Sequence, residues 1–281
     1  MRIVKKEIII IILKKSSSSN LCHIMKDNLI FLKEEDLDTP IYRIFSFKRL
    51  EEIFKEKKLT LVKPKLWDDP FENFILNSTG KLPDGREFQI GFRDNYYGQC
   101  WSLQKESDAM WRIYSPDKQG VRVKTTIRKL FQPLFEAGGI YQKTDGTPFN
   151  PSSFVGKVRY SNTPSLIKML NDKKRMSNKI FDQTGWGQAS TFFFKREAFK
   201  HEREVRIIFN SQYNSIPDIY KIKIDPLDLF DNIFFDPRMT REEYKKYRIL
   251  VKNWGYTKLI RQSSLYKIRA FTILLEQNDG I

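Results

Sequence analysis

Apolar residues in this chain recur at two spacings, and the two predict different elements. Val205, Ile207, Ile208 and Phe209 are β-branched or aromatic and predict a strand. Runs of the same kind predict short strands at 42–45, 59–62, 98–103, 119–123, 157–160, 220–224, 233–235 and 258–261, and a closing strand at 265–275. Helical spacing links Phe47, Leu50, Ile53 and Phe54, with Ser46 placed to cap the helix they would form. Met110, Trp111 and Tyr114 predict a short helix; Ile127, Leu130, Phe131 and Leu134 predict another, which Pro133 should kink or end. Thr163-Pro164 reads as an N-cap followed by proline at the first helical position, opening a basic helix to about residue 181. Thr240 with Glu243 is a capping-box pattern ahead of the stripe Tyr244, Tyr247, Leu250, Val251 and Trp254, and Gly255 suits the position after that helix. The stretch 185–188 reads as a flexible loop, and 77–95 as polar and turn-rich around Pro83-Asp84-Gly85. Strands and helices mix without strict alternation, so the expected class is α+β.

Length and charge narrow the picture. The 281 residues suffice for a sizeable core. A formal net charge of +16 would attract polyanions, nucleic acid first among them. Abundant Lys, Ile, Asn and Phe are also what an AT-rich genome writes into any protein, so charge alone does not fix a partner. Cys22 and Cys100 lie far apart, and His23 and His201 are the only histidines, so neither a disulfide framework nor a metal site is suggested. A reducing cytoplasm is the expected location. Residues 1–24 join a basic start to a short apolar run and a serine tract. The run is too short to span a membrane and no cleavage site follows, so 1–24 reads as a flexible tail or an upstream start, with one domain over 25–281.

The strand at 205–209 carries the chemistry that stands out. Glu202 and Glu204 precede it two residues apart, a spacing that puts both on one face of an extended chain. Two acids on one face must be solvated, paired with cations or used chemically. Arg206 shares the face and could pair with Glu204, which would leave a salt-bridged surface strand. Asp69 and Glu72 lie in a second acidic stretch, a loop at 64–72 braced by proline and aromatic residues.

Several pieces in order resemble the bacterial domain of unknown function 2971 family. They are Tyr42-Arg43-Ile44-Phe45-Ser46-Phe47, Asp68-Asp69-Pro70-Phe71-Glu72, Cys100-Trp101-Ser102, Met110-Trp111 with Tyr114, Gly120-Val121, and the acids before the apolar strand. The same set is similar to ADP-ribosyltransferases that use an Arg, a Ser and a Glu on successive strands, with Arg43, Ser102 and Glu204 in those places and Glu202 as the first acid of Glu-x-Glu. Here the middle piece is Cys-Trp-Ser where that class has Ser-Thr-Ser. The resemblance implies a split, mainly antiparallel β-sheet flanked by helices, and NAD as co-substrate.

In that chemistry Glu204 would stabilise an oxocarbenium-like transition state and Glu202 would orient or deprotonate the acceptor. Arg43, with Tyr42 beside it, would grip a phosphate or ribose. Ser102 would bind the ribose or hold Arg43, and Trp101, Trp111 or Tyr114 would stack on nicotinamide. The acceptor would be a nucleic acid or a protein. A toxin or anti-phage effector, with an antitoxin as a further partner, would fit. Two other readings stay open. One is a non-catalytic basic nucleic-acid-binding or interaction module. The other is a nuclease whose Asp69, Glu72, Glu202 and Glu204 gather around magnesium.

Overall fold

The computed structural model describes residues 24–67, 69, 72, 78–89, 93–143, 145–212, 217–268 and 270–275. The tail expectation for 1–23 lies outside the described residues, as do Asp68, Pro70 and Phe71, and Cys22 and His23. Ile24, assigned to that tail, is buried in the core beside Met25.

Ten strands build one sheet: β1 (Leu29–Ile30), β2 (Pro40–Ser46), β3 (Lys58–Val62), β4 (Tyr96–Ser102), β5 (Gly120–Thr126), β6 (Ser153–Lys157), β7 (Glu204–Asn210), β8 (Ile219–Lys223), β9 (Asn232–Phe235) and β10 (Leu259–Gln262). Their order is β1-β6-β7-β4-β2-β5-β9-β10, with β8 paired to β3 and β3 to β4. The β1–β6 and β9–β10 pairs are parallel and the rest antiparallel. The fold is α+β with a mainly antiparallel sheet.

That sheet forks along β4. One edge of β4 follows β7 from Glu204↔Ser102 to Asn210↔Tyr96. Its other edge meets β2 only at Tyr42↔Ser102 and β3 only at Val62↔Gly98. Glu204, Ser102 and Tyr42 therefore stand in one row across three strands. Beyond that row β2 and β4 share no ladder, and a gap opens between them.

The helices are α1 (Phe47–Glu56), α2 (Asp108–Tyr114), α3 (Ile127–Gly138), α4 (Thr163–Asn171), α5 (Lys173–Ile180), α6 (Trp186–Ser190), α7 (Pro226–Leu229) and α8 (Arg241–Asn253). The apolar stripes of α1, α3 and α8 meet Val121, Val123, Val205 and Ile207 in the larger core. A second core joins Tyr96, Phe154 and Ile208 to Phe192, Phe193 and Phe194 and to helices α4 and α5. Strand β7 is thus buried on both faces, which overturns the picture of a surface strand. Gly98 lets the loop before residue 68 approach: a Cβ there would stand 2.6 Å from the Trp67 ring and 2.9 Å from Ile208. Gly98→Ala is expected to cost about 1–3 kcal/mol, read as a fall in chemical-denaturation midpoint.

Several expectations need correction. The basic helix is two helices, because Asp172 turns its side chain to the Arg175 N–H and starts α5. The cap of α4 is Asn162, one residue before Thr163. Residues 186–190 are helical, opened by Gly185 at φ 80°. Helix α3 runs through Pro133 to Gly138; Leu134 and Phe135, fully buried, hold its last turn. Residues 265–268 and 270–275 form no strand. Ile268, Phe271, Ile273, Leu274 and Leu275 are exposed there, without the neighbouring strand that propensity cannot supply.

Candidate active site

A pocket of about 130 Å³ opens in the gap of the fork. Tyr42, Arg43 and Ile44 of β2 form one side; Cys100, Trp101 and Ser102 of β4 form another. Met110 and Tyr114 come from α2, Glu202 from the turn before β7 and Glu204 from its first residue. Three distant parts of the chain, each singled out by sequence, line one cavity.

The two acids do not converge by strand alternation. Glu202 ends a 3₁₀ turn (Glu197–Glu202), Arg203 takes φ 47°, and Glu204 begins the strand. The turn is tied to β4 by the Ser102 hydroxyl, which donates to the Glu202 carbonyl at 2.6 Å and accepts from the Gln104 N–H at 2.9 Å. Ser102 therefore anchors the acid turn rather than Arg43. The carboxylates meet at a residue the motifs do not contain. Lys195 Nζ lies 2.5 Å from Glu202, 2.6 Å from Glu204 and 2.7 Å from Glu72. Arg206 holds the other oxygen of Glu204 at 2.7 Å and Glu72 at 3.1 Å, and lies over the Trp67 ring at 4.5 Å. Asp69 stands apart from this cluster, paired with Arg196 at 2.8 Å.

Two cations facing three carboxylates are neutral as a set only if one acid keeps a proton. Burial, then the neighbouring Glu204, push the Glu202 carboxyl up to about 7. Burial also works against ionising Glu204, but Arg206, the bond from Glu202 and Lys195 outweigh it and hold that carboxyl well below the usual range. Below about pH 7 the pair is therefore one proton-carrying acid beside one carboxylate. Burial alone would lower Lys195, yet Glu204 and Glu72 raise it and keep it charged. Lys195 stands where a divalent cation would have to sit among these acids, and no metal-holding cluster of His, Cys, Asp or Glu occurs among the described residues. The magnesium arrangement does not fit.

Across the pocket, burial lowers the Arg43 guanidinium to about 10. Among the described residues it makes no ion pair or hydrogen bond; its recorded contact is the Phe45 ring at 5.8 Å. Tyr42 is backed by the buried Arg122, whose guanidinium lies 5.5 Å from its ring and pairs with Glu106 at 2.8 Å. The Tyr114 hydroxyl donates to Glu202 at 3.3 Å across the mouth. Trp101 is buried with its N–H on Gln99. Trp111 is fully buried, bonded to Glu106, and outside the pocket; its expected stacking role is corrected to core packing. Burial, then the neighbouring Glu204, push the Cys100 thiol up, favouring its protonated form.

Sequence reasoning missed Lys195 and Tyr160. They lie opposite each other in a short parallel ladder, Arg159–Ser161 against Phe194–Arg196, and the Tyr160 hydroxyl accepts from the Glu204 N–H at 2.8 Å. A lone lysine after three phenylalanines carries no motif; a buried cation opposite an acid pair was the only available signal.

No curated protein matches the chain in sequence. Solved structures of DarT from Thermus sp. 2.9 resemble it distantly. The complex with NAD+ is 13% identical with a TM-score of 0.35, covering 80% of this chain and 96% of that one. The complex with ADP-ribosylated ssDNA is 10% identical with a TM-score of 0.33, covering 80% and 93%. Likenesses this remote leave the chemistry to be argued from the residues of the pocket. No helix among the described residues is long and apolar enough to cross a membrane. Residues 110–207 match the sequence profile of the family described as "Protein of unknown function (DUF2971)", the family that the ordered motifs resemble.

Proposed function

We propose that the pocket takes the nicotinamide–ribose end of NAD and that the protein is an ADP-ribosyltransferase-like enzyme. One observation carries this reading: a single cleft sets Arg43, a guanidinium with no ion pair or hydrogen bond among the described residues, against two carboxyl groups gathered on one ammonium. The volume is small, so the adenosine end would lie outside the pocket. Arg43 would take a phosphate or ribose oxygen. When the nicotinamide–ribose bond breaks, both bonding electrons leave with nicotinamide and positive charge develops on the ribose. Glu204 is an ionised carboxylate at the pocket wall, and a carboxylate, with about four acceptor sites, has one to spare after its bonds from Lys195, Arg206 and Glu202. Glu202, once deprotonated, would take the proton of the attacking acceptor group.

The charge of +16 favours a nucleic-acid acceptor; a protein acceptor is the alternative. An NAD-consuming enzyme of this kind would act in the cytoplasm as a toxin or anti-phage effector, held by an antitoxin. Growth arrest on expression, relieved by Glu202→Gln, is the expected sign of that role.

Release of nicotinamide from NAD, with and without single-stranded DNA, RNA or protein, tests the reading. Arg43→Ala should weaken NAD binding by about 10- to 100-fold, measured by calorimetry, as loss of a charge-assisted bond. Unchanged affinity, or no nicotinamide release by the wild type with any acceptor, would overturn it. Nucleic-acid binding that falls steeply with salt and needs no NAD would mark a non-catalytic module instead.

A further inference from the structure

We infer that Lys195 is the positioning residue of the acid pair, the group that holds Glu202 against Glu204 on the pocket wall. This rests on the reading of the pocket just given and adds a residue no acid-pair motif contains. Arg206 touches Glu204 and Glu72 but makes no bond to Glu202. Glu202 lies outside the strand, on a turn with a left-handed residue after it, and its carboxyl is held by Lys195, by Tyr114 and, while protonated, by its own bond to Glu204. Two acids this close repel once both ionise. The Lys195 ammonium spans them at 2.5 and 2.6 Å, and its side chain is 8% exposed, so little water screens it.

The short ladder that carries Lys195 is built for this contact. It sets Lys195 beside Tyr160, and Tyr160 receives the backbone N–H of Glu204. The ammonium also lies 4.5 Å from the Phe199 ring, on the turn that bears Glu202. Glu72 supplies the third carboxylate and competes with the pair for the same ammonium. The charged and titratable groups around Glu202 are therefore Glu204 and Arg206 from β7, Lys195 and Tyr160 from the ladder, Glu72 from the loop, Tyr114 from α2 and, across the pocket, Arg43 from β2 and Cys100 from β4.

Carboxyl carbon NMR on protein labelled at glutamate reads Glu202 without requiring turnover. Lys195→Met removes the nearest cation, and the Glu202 titration midpoint should rise by about one pH unit or more. Glu72→Gln removes the competitor, and the midpoint should fall. Nicotinamide release should follow with its acid limb moved the same way, KM for NAD changing little. In a Glu202→Gln background Lys195→Met should cost much less activity than in the wild type.

A merely structural lysine would lower thermal stability and activity at every pH with no shift. An unmoved midpoint in folded Lys195→Met overturns the inference. If that variant does not fold, an unmoved or raised midpoint in Glu72→Gln overturns it. Moved midpoints in a protein that releases no nicotinamide would uphold Lys195 and sink the transferase reading alone.

Discussion

Glu204→Ala is expected to destabilise the protein by about 3–5 kcal/mol before any question of catalysis arises. The substitution strips one partner from two buried cations. Arg206 is fully buried and would keep Glu72 and the Phe192 carbonyl, at 3.1 and 2.6 Å, while losing its shortest carboxylate bond. Lys195 would lose one of three acids. A buried cation without its counter-charge costs more than the pair contributes when intact. Chemical denaturation checks this, and a Glu204→Ala protein as stable as wild type would contradict the arrangement. Loss of activity in that variant would therefore not separate a catalytic acid from a structural one. Arg43→Ala and Glu202→Gln are the discriminating variants, because neither strips a counter-charge from the fully buried Arg206.

Glu202→Gln is the second large effect, expected to lower ADP-ribose transfer to the acceptor by about 10²–10⁴-fold, the range for loss of a general base. In the wild type kcat/KM should climb with pH through about 7 as Glu202 gives up its proton, and the variant should lack that limb. Stability should move the opposite way. A carboxyl raised from 4.5 to about 7 binds its proton more tightly when folded. Its contribution to stability is full below about 4.5 and is lost as pH rises through about 7. Glu204 runs the other way, its contribution failing as pH drops below the ordinary carboxylate range. A stability profile that is flat between pH 5 and about 8, and the same in Glu202→Gln, would contradict the shared-proton pair.

The strands of this site were legible because they are short apolar runs with distinctive neighbours. Residues 42–45, 98–103 and 205–209 lie within or across β2, β4 and β7, and their motif residues do meet. Register was not legible. Nothing in the spacing says that Ser102 faces Glu204 on one side and Tyr42 on the other, because pairing depends on which strands the cores bring together. For the same reason Ser102 read as a group that binds the ribose or holds Arg43, and its hydroxyl donates to the Glu202 carbonyl instead of reaching Arg43. Trp111 misled because an aromatic three residues from Tyr114 fits a cofactor wall as well as a core, and only burial tells them apart. The spacing allowed a Glu204–Arg206 pair, which forms, but on a buried face and not on the surface strand that such a pair suggested. The third acid, Glu72, and Lys195 come from segments with no sequence relation to that pair.

The fork in the sheet has a mechanical meaning. Arg43 belongs to the wing of β2, β5, β9 and β10, and Glu202 and Glu204 to the wing of β4, β7 and β6, with Tyr42↔Ser102 the one ladder contact between them. Any molecule that touches Arg43 and the acids at once bridges a seam that the backbone barely stitches. Its binding energy acts as a rivet across the sheet, so occupancy should be felt as resistance to heat and as slowed amide exchange along β2 and β4, far beyond the atoms it contacts.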